Sequence, residues 1–274
     1  MPDDDVSAAI PPFLTGLVDD AAVFPPGNAA LTDALHNHRE HRQSWYASLV
    51  GPLLLPASSL HRLPADIAPL AIGIVADTGI AEVSSAMRRL PRTVTVKQIE
   101  ARAADKDNVA ALIELQTQLS LPVFAELPIT PRPDDLLDQL VGTEVTPKFR
   151  TGGATPQMFP SPESLAEGIV ACAKRGLGFK LTAGLHEAIR HTDSATGFVH
   201  HGFANVAVAA WEANSGADVT KVTDMLKVTE SDTLRDQIRG MLAHSRPLWA
   251  GFGSCSIHEP LNDLKGLSLV FEES

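Results

Sequence analysis

Short apolar runs alternate along the chain with longer segments in which apolar residues recur every three or four positions. The runs are 5 to 10 residues long and contain many aliphatic and β-branched side chains, which is typical of buried parallel strands. They cover residues 46–55, 70–76, 93–99, 122–127, 146–150, 178–182 and 248–252. This alternation predicts a parallel sheet built from right-handed βαβ units.

The clearest predicted helix begins after Ser161, an N-cap residue that is followed by Pro162 and Glu163 in the first turn. Two cations and then Gly176 follow its last turn, as is usual where a helix ends. Weaker helical patterns cover residues 30–42, 80–90, 108–119 and 134–140.

The spacing of the strands distinguishes a closed barrel from an open sheet. Strand starts recur every 25 to 30 residues or so, and the gap between residues 178 and 248 has room for one further βα unit. Residues 197–203 are the candidate seventh strand, although residues 203–214 fit a helix and residues 225–229 are an alternative strand. No G-x-G-x-x-G fingerprint follows the first strand. We therefore expect an α/β fold of the (βα)8 TIM type, with residues 1–274 in one domain and residues 1–29 as an N-terminal extension packed on the barrel.

Composition and charge exclude several classes of function. The two cysteines cannot form a disulfide framework and the first residues are acidic, so we expect a cytoplasmic protein without a secretion signal. No apolar run approaches the ~20 residues that span a bilayer. The net charge of −11 opposes binding to nucleic acid.

No cofactor is predicted. The expected partner is a small anionic substrate, and a homo-oligomer is compatible with the sequence.

Polar residues follow the predicted strands at the ends where the active site of a parallel barrel lies. Alternation places Lys148 with Arg150, and Lys180 with Thr182, on one face of each strand, and the apolar residues between them on the other. Three cations should therefore converge inside the barrel. Glu100 and Glu126, from the two preceding strands, are their expected counter-ions.

Two interpretations of this cluster remain open. It is either a structural ion-pair network or a site for a carboxylate or phosphate substrate. In the second case the expected catalytic residues are Lys180, Lys148, Glu126, Glu100, His201 and His186. The expected substrate-binding residues are Arg150, Thr151, Gly152, Gly153, Thr182, Asn205, Gly253, Ser254 and Ser256, although the glycines also suit ordinary turns.

In the catalytic interpretation, neighbouring positive charges should lower the pKa of Lys180 and leave part of it neutral and nucleophilic. Glu126, Glu100 or His201 would then transfer the α-proton of a carbonyl substrate. A metal site formed by those same three residues is an alternative, although no H-x-H, H-E-x-x-H or C-x-x-C spacing is present.

Other polar residues are assigned to ordinary roles. His36, His38 and His41 are expected on a solvated helix face. The pair Asp19-Asp20 is expected in a solvated acidic turn, with a role in the site as the alternative. Cys172 suits the core, and Cys255 suits a packed thiol better than a nucleophile, because no partner histidine is identifiable.

The strand-end pattern resembles the lysine-dependent (class I) aldolases and lyases of the (βα)8 fold. In several of those families the imine-forming lysine lies on the sixth strand, where this sequence has Phe179-Lys180-Leu181-Thr182, with Lys148 nearby. The strings at residues 148–153, 180–186, 201–205 and 251–256 are also similar to those of a bacterial protein family without an assigned activity.

The aldolase resemblance implies a lyase or isomerase that uses a lysine Schiff base on a small anionic carbonyl compound. The two alternatives are a metal-assisted lyase or hydrolase and a barrel that binds an anionic metabolite without turnover.

Overall fold

The computed structural model describes residues 10–272, which form a closed barrel of eight parallel strands. The predicted TIM-type fold is therefore confirmed. Around the barrel the strands follow their order along the chain, and the last strand pairs with the first. The barrel strands are β1 (Val18–Asp20), β2 (Val50–Pro56), β3 (Leu70–Val75), β4 (Val94–Arg102), β5 (Val123–Glu126), β6 (Val145–Arg150), β7 (Phe179–Thr182) and β10 (Trp249–Ser254).

Nine α-helices lie among the described residues, and a two-stranded hairpin of β8 (His191–Thr192) and β9 (Val199–His200) follows β7. The helices are α1 (Leu31–Gln43), α2 (Val83–Met87), α3 (Lys106–Leu119), α4 (Asp134–Leu140), α5 (Pro162–Lys174), α6 (Phe203–Asn214), α7 (Val219–Lys227), α8 (Ser231–Arg239) and α9 (His258–Gly266). Helix α5 confirms its prediction, because the Ser161 side chain accepts a hydrogen bond from the Ser164 N–H.

The structure corrects two predictions about the strands. Residues 18–20, which were assigned to an N-terminal extension, form the first barrel strand, and β1 pairs with both β10 and β2. Neither candidate for the seventh strand belongs to the barrel. Residues 197–203 contain only the short β9, and residues 225–229 overlap the end of α7. Consequently Lys148 lies on the sixth strand of the barrel and Lys180 on the seventh.

The apolar core lies between the outer face of the barrel and the helices. Phe149 and Phe179 are fully buried there, as alternation predicts, and Phe149 lies against α5 at Gly168. A second, smaller core joins α1 to β2 and β3. Within the described part of the chain, every helix is too short or too polar to cross a bilayer. Because the outward faces carry the apolar packing, the inward faces are free to carry charge.

Candidate active site

A continuous network of ion pairs fills the carboxyl-terminal half of the barrel. Lys180 Nζ lies 2.7 Å from Glu100 Oε1 and also pairs with Asp19. The other oxygen of Glu100 lies 2.8 Å from Lys148 Nζ, which is 2.9 Å from Glu126 Oε2. The structure thus brings five predicted residues together: Glu100, Glu126, Lys148, Arg150 and Lys180.

The network runs from the barrel interior to its mouth. Lys148 and Lys180 pair side by side in the sheet, and both are buried. Arg150, two residues nearer the mouth, donates from Nε to Glu126 Oε1 at 3.2 Å, and 41% of its side chain is exposed. Three cations face three carboxylates, so the buried charge is balanced and only the Arg150 end meets solvent.

The prediction of a lowered lysine pKa is wrong for this arrangement. Burial alone would lower the pKa of Lys180, but Asp19 and Glu100 outweigh burial and raise it. Glu100 and Glu126 raise the pKa of Lys148 in the same way. Each ammonium touches two carboxylates, and these contacts favour the charged form over the neutral amine.

The two carboxyl groups that share Lys180 have opposite pKa shifts. Burial raises the pKa of Asp19, and contact with Lys180 only partly offsets this effect. Burial also acts on Glu100, but its two lysines lower the pKa to about 2. Glu100 is therefore ionised at neutral pH, whereas Asp19 is the one of the two carboxyl groups that more readily takes up a proton. A pair of carboxyl groups whose pKa values are pushed apart is a recurrent sign of acid and base roles.

Asp19 was expected in a solvated turn, but it lies inside the barrel. Its Oδ2 accepts a hydrogen bond of 2.7 Å from Gln98 Nε2, which also donates to Glu100 Oε1 at 3.0 Å. A Cβ atom on Gly51 would lie 2.0 Å from Asp19 Oδ1, so the glycine on the neighbouring strand makes room for the carboxylate. The signal that sequence reasoning missed is the run Leu17-Val18 directly before two acids, which is too short to be recognised as a strand.

Asp20, next to Asp19, points away from this network and holds α1. Its Oδ2 lies 2.9 Å from Nδ1 of His38, and both side chains are buried. His41 is also buried, with Nδ1 3.0 Å from the Tyr46 hydroxyl. The expected solvated face is therefore wrong for His38 and His41, and of the three helix histidines only His36 is exposed.

The side chains of the predicted site residues His201 and Asn205 form hydrogen bonds with the backbone of neighbouring loops. His201 is fully buried; its Nε2 donates to the Pro160 carbonyl at 2.8 Å, and Nδ1 accepts from Arg190. Burial lowers its pKa to about 4, so the ring is neutral. Asn205 donates to the carbonyls of Met225 and Val228, both at 2.8 Å, and accepts from the Arg190 N–H. Neither side chain contacts the ion-pair network.

The glycines after β6 serve a close contact between two loops. A Cβ on Gly152 would lie 2.7 Å from the Cα of Gly184 in the loop after β7, and Thr151 donates to the Ala183 carbonyl of the same loop. Gly153 lies against Met158. These contacts match the turn interpretation of the glycines and fix the loops beside the mouth.

The residues at the end of β10 lie level with the network. Gly253 pairs with Thr182 and with Asp19 in the sheet, so it forms part of the inner wall. The Ser254 hydroxyl accepts a bond of 3.3 Å from the Ser256 N–H, and the Ser256 hydroxyl accepts one of 3.2 Å from the Glu259 N–H at the start of α9. Ser254 pairs with Asp20 in the sheet and is buried on the outer face of the barrel, away from the network, whereas the part-exposed Ser256 hydroxyl keeps a proton to donate to a ligand.

The predicted metal ligands do not come together. Glu100 and Glu126 are occupied by Lys148, and His201 binds the loop at Pro160. Among residues 10–272 no three histidine, cysteine or acidic side chains are arranged to hold a metal ion. The metal-assisted alternative therefore loses its ligand set. His186 also lies outside the network, and its Nδ1 is 2.8 Å from Glu259 Oε2.

Comparison of the chain with protein-family models, with curated proteins and with solved structures finds no match.

Proposed function

We propose that the protein is a lyase or isomerase that acts on a small anionic carbonyl compound at the mouth of the barrel. The observation that carries the proposal is the sharing of the Lys180 ammonium by Asp19, whose pKa is raised, and Glu100, whose pKa is about 2. The fold itself is one on which many kinds of enzyme are built, so the assignment depends on this cluster and not on the barrel.

Arg150 is the natural binding group for the substrate anion. It lies at the mouth, it is part-exposed, and only its Nε has a partner among the described residues, Glu126. The two terminal nitrogens can hold a carboxylate or phosphate with two parallel hydrogen bonds. A substrate held there would direct its carbonyl group toward Lys148 and Lys180.

The chemistry requires a base for the α-proton and a positive charge for the oxygen that becomes negative. Asp19 in its ionised form would accept the α-proton, the C–H electron pair would move to the carbonyl, and the Lys180 ammonium would stabilise the resulting enolate oxygen. On an α-hydroxy carbonyl compound, transfer of the hydroxyl proton to the former carbonyl oxygen and return of the proton from Asp19 to the former carbonyl carbon would give isomerisation. On a β-hydroxy carbonyl compound Asp19 would instead accept the hydroxyl proton. The carbon–carbon bond then breaks, a second carbonyl compound leaves, and the electron pair of the broken bond forms the enolate beside Lys180.

The Schiff-base form of this proposal is the less supported one. Imine formation needs a neutral amine, and the raised pKa values of Lys148 and Lys180 favour ammonium groups. The corrected strand count places Lys148 on the sixth strand, which is the position of the imine-forming lysine in the aldolases that the sequence resembles. Borohydride reduction in the presence of each candidate substrate separates the two routes, because only an imine is trapped as a stable adduct.

The test is exchange of the α-protons of pyruvate, oxaloacetate and dihydroxyacetone phosphate with D2O, followed by proton NMR. We expect exchange above the uncatalysed rate for at least one compound, and a loss of about 100-fold or more in Asp19→Asn and Lys180→Met. Glu114→Gln on the exposed face of α3 is the matched control. Stabilisation by these compounds without exchange would indicate a binding protein, and equal exchange in Asp19→Asn would overturn the assignment of the base.

A further inference from the structure

A second group of reactive side chains lies at the same end of the barrel, outside the ion-pair network. Cys255 directly follows β10, and His186 follows β7, its neighbour in the barrel. Cys255 Sγ lies 4.0 Å from Nδ1 of His186. Nδ1 is also 2.8 Å from Oε2 of Glu259, in the first turn of α9. A thiol, an imidazole and a carboxylate are thus gathered from three segments.

The electrostatics of this group favour a charged imidazole. Contact with Cys255, followed by contact with Glu259, raises the pKa of His186 to about 9 despite the opposing effect of burial. His186 therefore carries a proton at neutral pH, and it lies beside the thiol. An imidazolium next to a cysteine stabilises the thiolate, which is the nucleophilic form.

The two cysteines of the chain have opposite surroundings. Cys172 lies in α5 and is completely buried, and burial raises the pKa of its thiol to about 12. Cys255 is part-exposed at a strand end, with His186 beside it. A Cβ on Gly27 would lie 2.9 Å from the Cβ of Cys255, so the loop after β1 closes on the cysteine through a glycine. Only Cys255 combines access with a partner.

We propose that Cys255 is a nucleophile that adds reversibly to the carbonyl carbon of a small aldehyde, with His186 as its proton carrier. In this pair the proton lies on His186, so the sulfur attacks as the thiolate and forms a bond to the carbonyl carbon. The π bond of the carbonyl breaks toward oxygen, and the oxygen takes the proton from His186. The product is a hemithioacetal, and no further reactant is needed.

Glu259 acts as a positioning residue, because its carboxylate holds the same ring nitrogen that faces the sulfur. The proposal for Cys255 rests on the proposed function in one respect: it takes from it that the ligand is a carbonyl compound. The thiol and the ion-pair network use different side chains, so each can fail without the other.

Alkylation by iodoacetamide, mapped by peptide mass spectrometry, tests the nucleophile. At about pH 6.5 we expect Cys255 to be labelled at least tenfold faster than free cysteine, while Cys172 in the same molecules stays unlabelled and serves as the internal control. His186→Asn should slow labelling of Cys255 about tenfold at that pH, and Glu259→Gln should slow it less. Circular dichroism of each variant establishes that it is folded.

Protection by glyoxylate, a small anionic aldehyde, tests the addition step. We expect glyoxylate to slow the alkylation of Cys255 in the unmodified protein in proportion to its concentration, and borohydride to leave no adduct on the cysteine. Labelling of Cys255 that is no faster than free cysteine, or unchanged in folded His186→Asn, overturns the nucleophile. Absence of protection overturns carbonyl addition. Proton exchange in D2O measures the activity proposed for Asp19 independently of Cys255. Failure of the proposed function can therefore be distinguished from failure of the Cys255 proposal.

Discussion

Replacement of Glu100 by glutamine removes the anion that joins both buried lysines. The fall in the pKa of Glu100 from 4.5 to about 2 corresponds to about 3 kcal/mol in favour of its ionised form in the folded chain. Glutamine keeps the shape but leaves Lys148 with Glu126 alone and Lys180 with Asp19 alone. We therefore expect Glu100→Gln to lower the free energy of unfolding at neutral pH by about 3 kcal/mol, at the lower end of the range for broken buried ion pairs.

The pH dependence of the free energy of unfolding tests the same prediction in a second way. A carboxyl group with a lowered pKa in the folded state stabilises the protein above its unfolded pKa, and this contribution is lost as pH falls from 4.5 toward 2. The unmodified protein should lose this contribution in that window, and Glu100→Gln should lose correspondingly less. Urea denaturation followed by circular dichroism at about pH 7, 5 and 3.5 measures both effects.

The control for this experiment is Glu114→Gln, which makes the same chemical change on an exposed helix face. It should alter the free energy of unfolding by less than about 0.5 kcal/mol. A loss below about 1 kcal/mol in Glu100→Gln, or an acid response equal to that of the control, would refute the inference that Glu100 stabilises the fold through its two lysines.

Three further changes test other parts of the structure. His201→Gln should reduce the loss of stability between pH 6.5 and about 4, because in this range the unfolded chain takes up a proton at His201 while the buried ring stays neutral; equal losses in denaturation curves would contradict this. Gly51→Ala should lower the melting temperature and the D2O exchange rate by displacing the Asp19 carboxylate. Gly240→Ala, where the added Cβ would make only an ordinary contact of 3.4 Å with the Gln237 carbonyl oxygen, should do neither. Asn205→Ala should cost about 3 kcal/mol in urea denaturation, because it leaves the Val228 carbonyl and the Arg190 N–H without partners and removes one of the two donors to the Met225 carbonyl; a change near zero would refute the role of Asn205 in holding these loops.

Alternation along two strands was sufficient to predict the convergence of Lys148, Lys180 and Arg150. Residues two positions apart in a strand point to the same face of the sheet, and residues paired on neighbouring strands lie side by side on that face. The same reasoning placed Phe149 and Phe179 against the helices. Regular spacing of the apolar runs predicted the barrel, because seven of its eight strands, all except β1, overlap those runs.

The first strand was not predicted because it contains charged residues where the other strands have apolar ones. Two of the three residues in β1 are aspartates, and both are buried. Sequence patterns fail most readily where function or a buried ion pair breaks the local rule. The strand predicted after β7 is wrong for a different reason. Helices α6, α7 and α8 occupy the stretch of sequence in which a further strand was expected.

The protonation states depended on distances that the sequence does not contain. Counting cations predicted a lowered lysine pKa, but Glu100 contacts both lysines and reverses the direction. His201 and Asn205 were placed in the site because they follow a predicted strand end. Each instead satisfies buried backbone groups, and no sequence pattern distinguishes that use from catalysis.

Because β1 is only three residues long and lies between β10 and β2, the ring closes where early and late parts of the chain meet. Residues 18–20 pair with residues 252–254, a separation that makes this contact costly in loop entropy. We therefore expect it to be among the last contacts to form. Until it forms, Lys180 lacks Asp19, so the chain gains this buried ion pair and its final barrel seam in the same folding event.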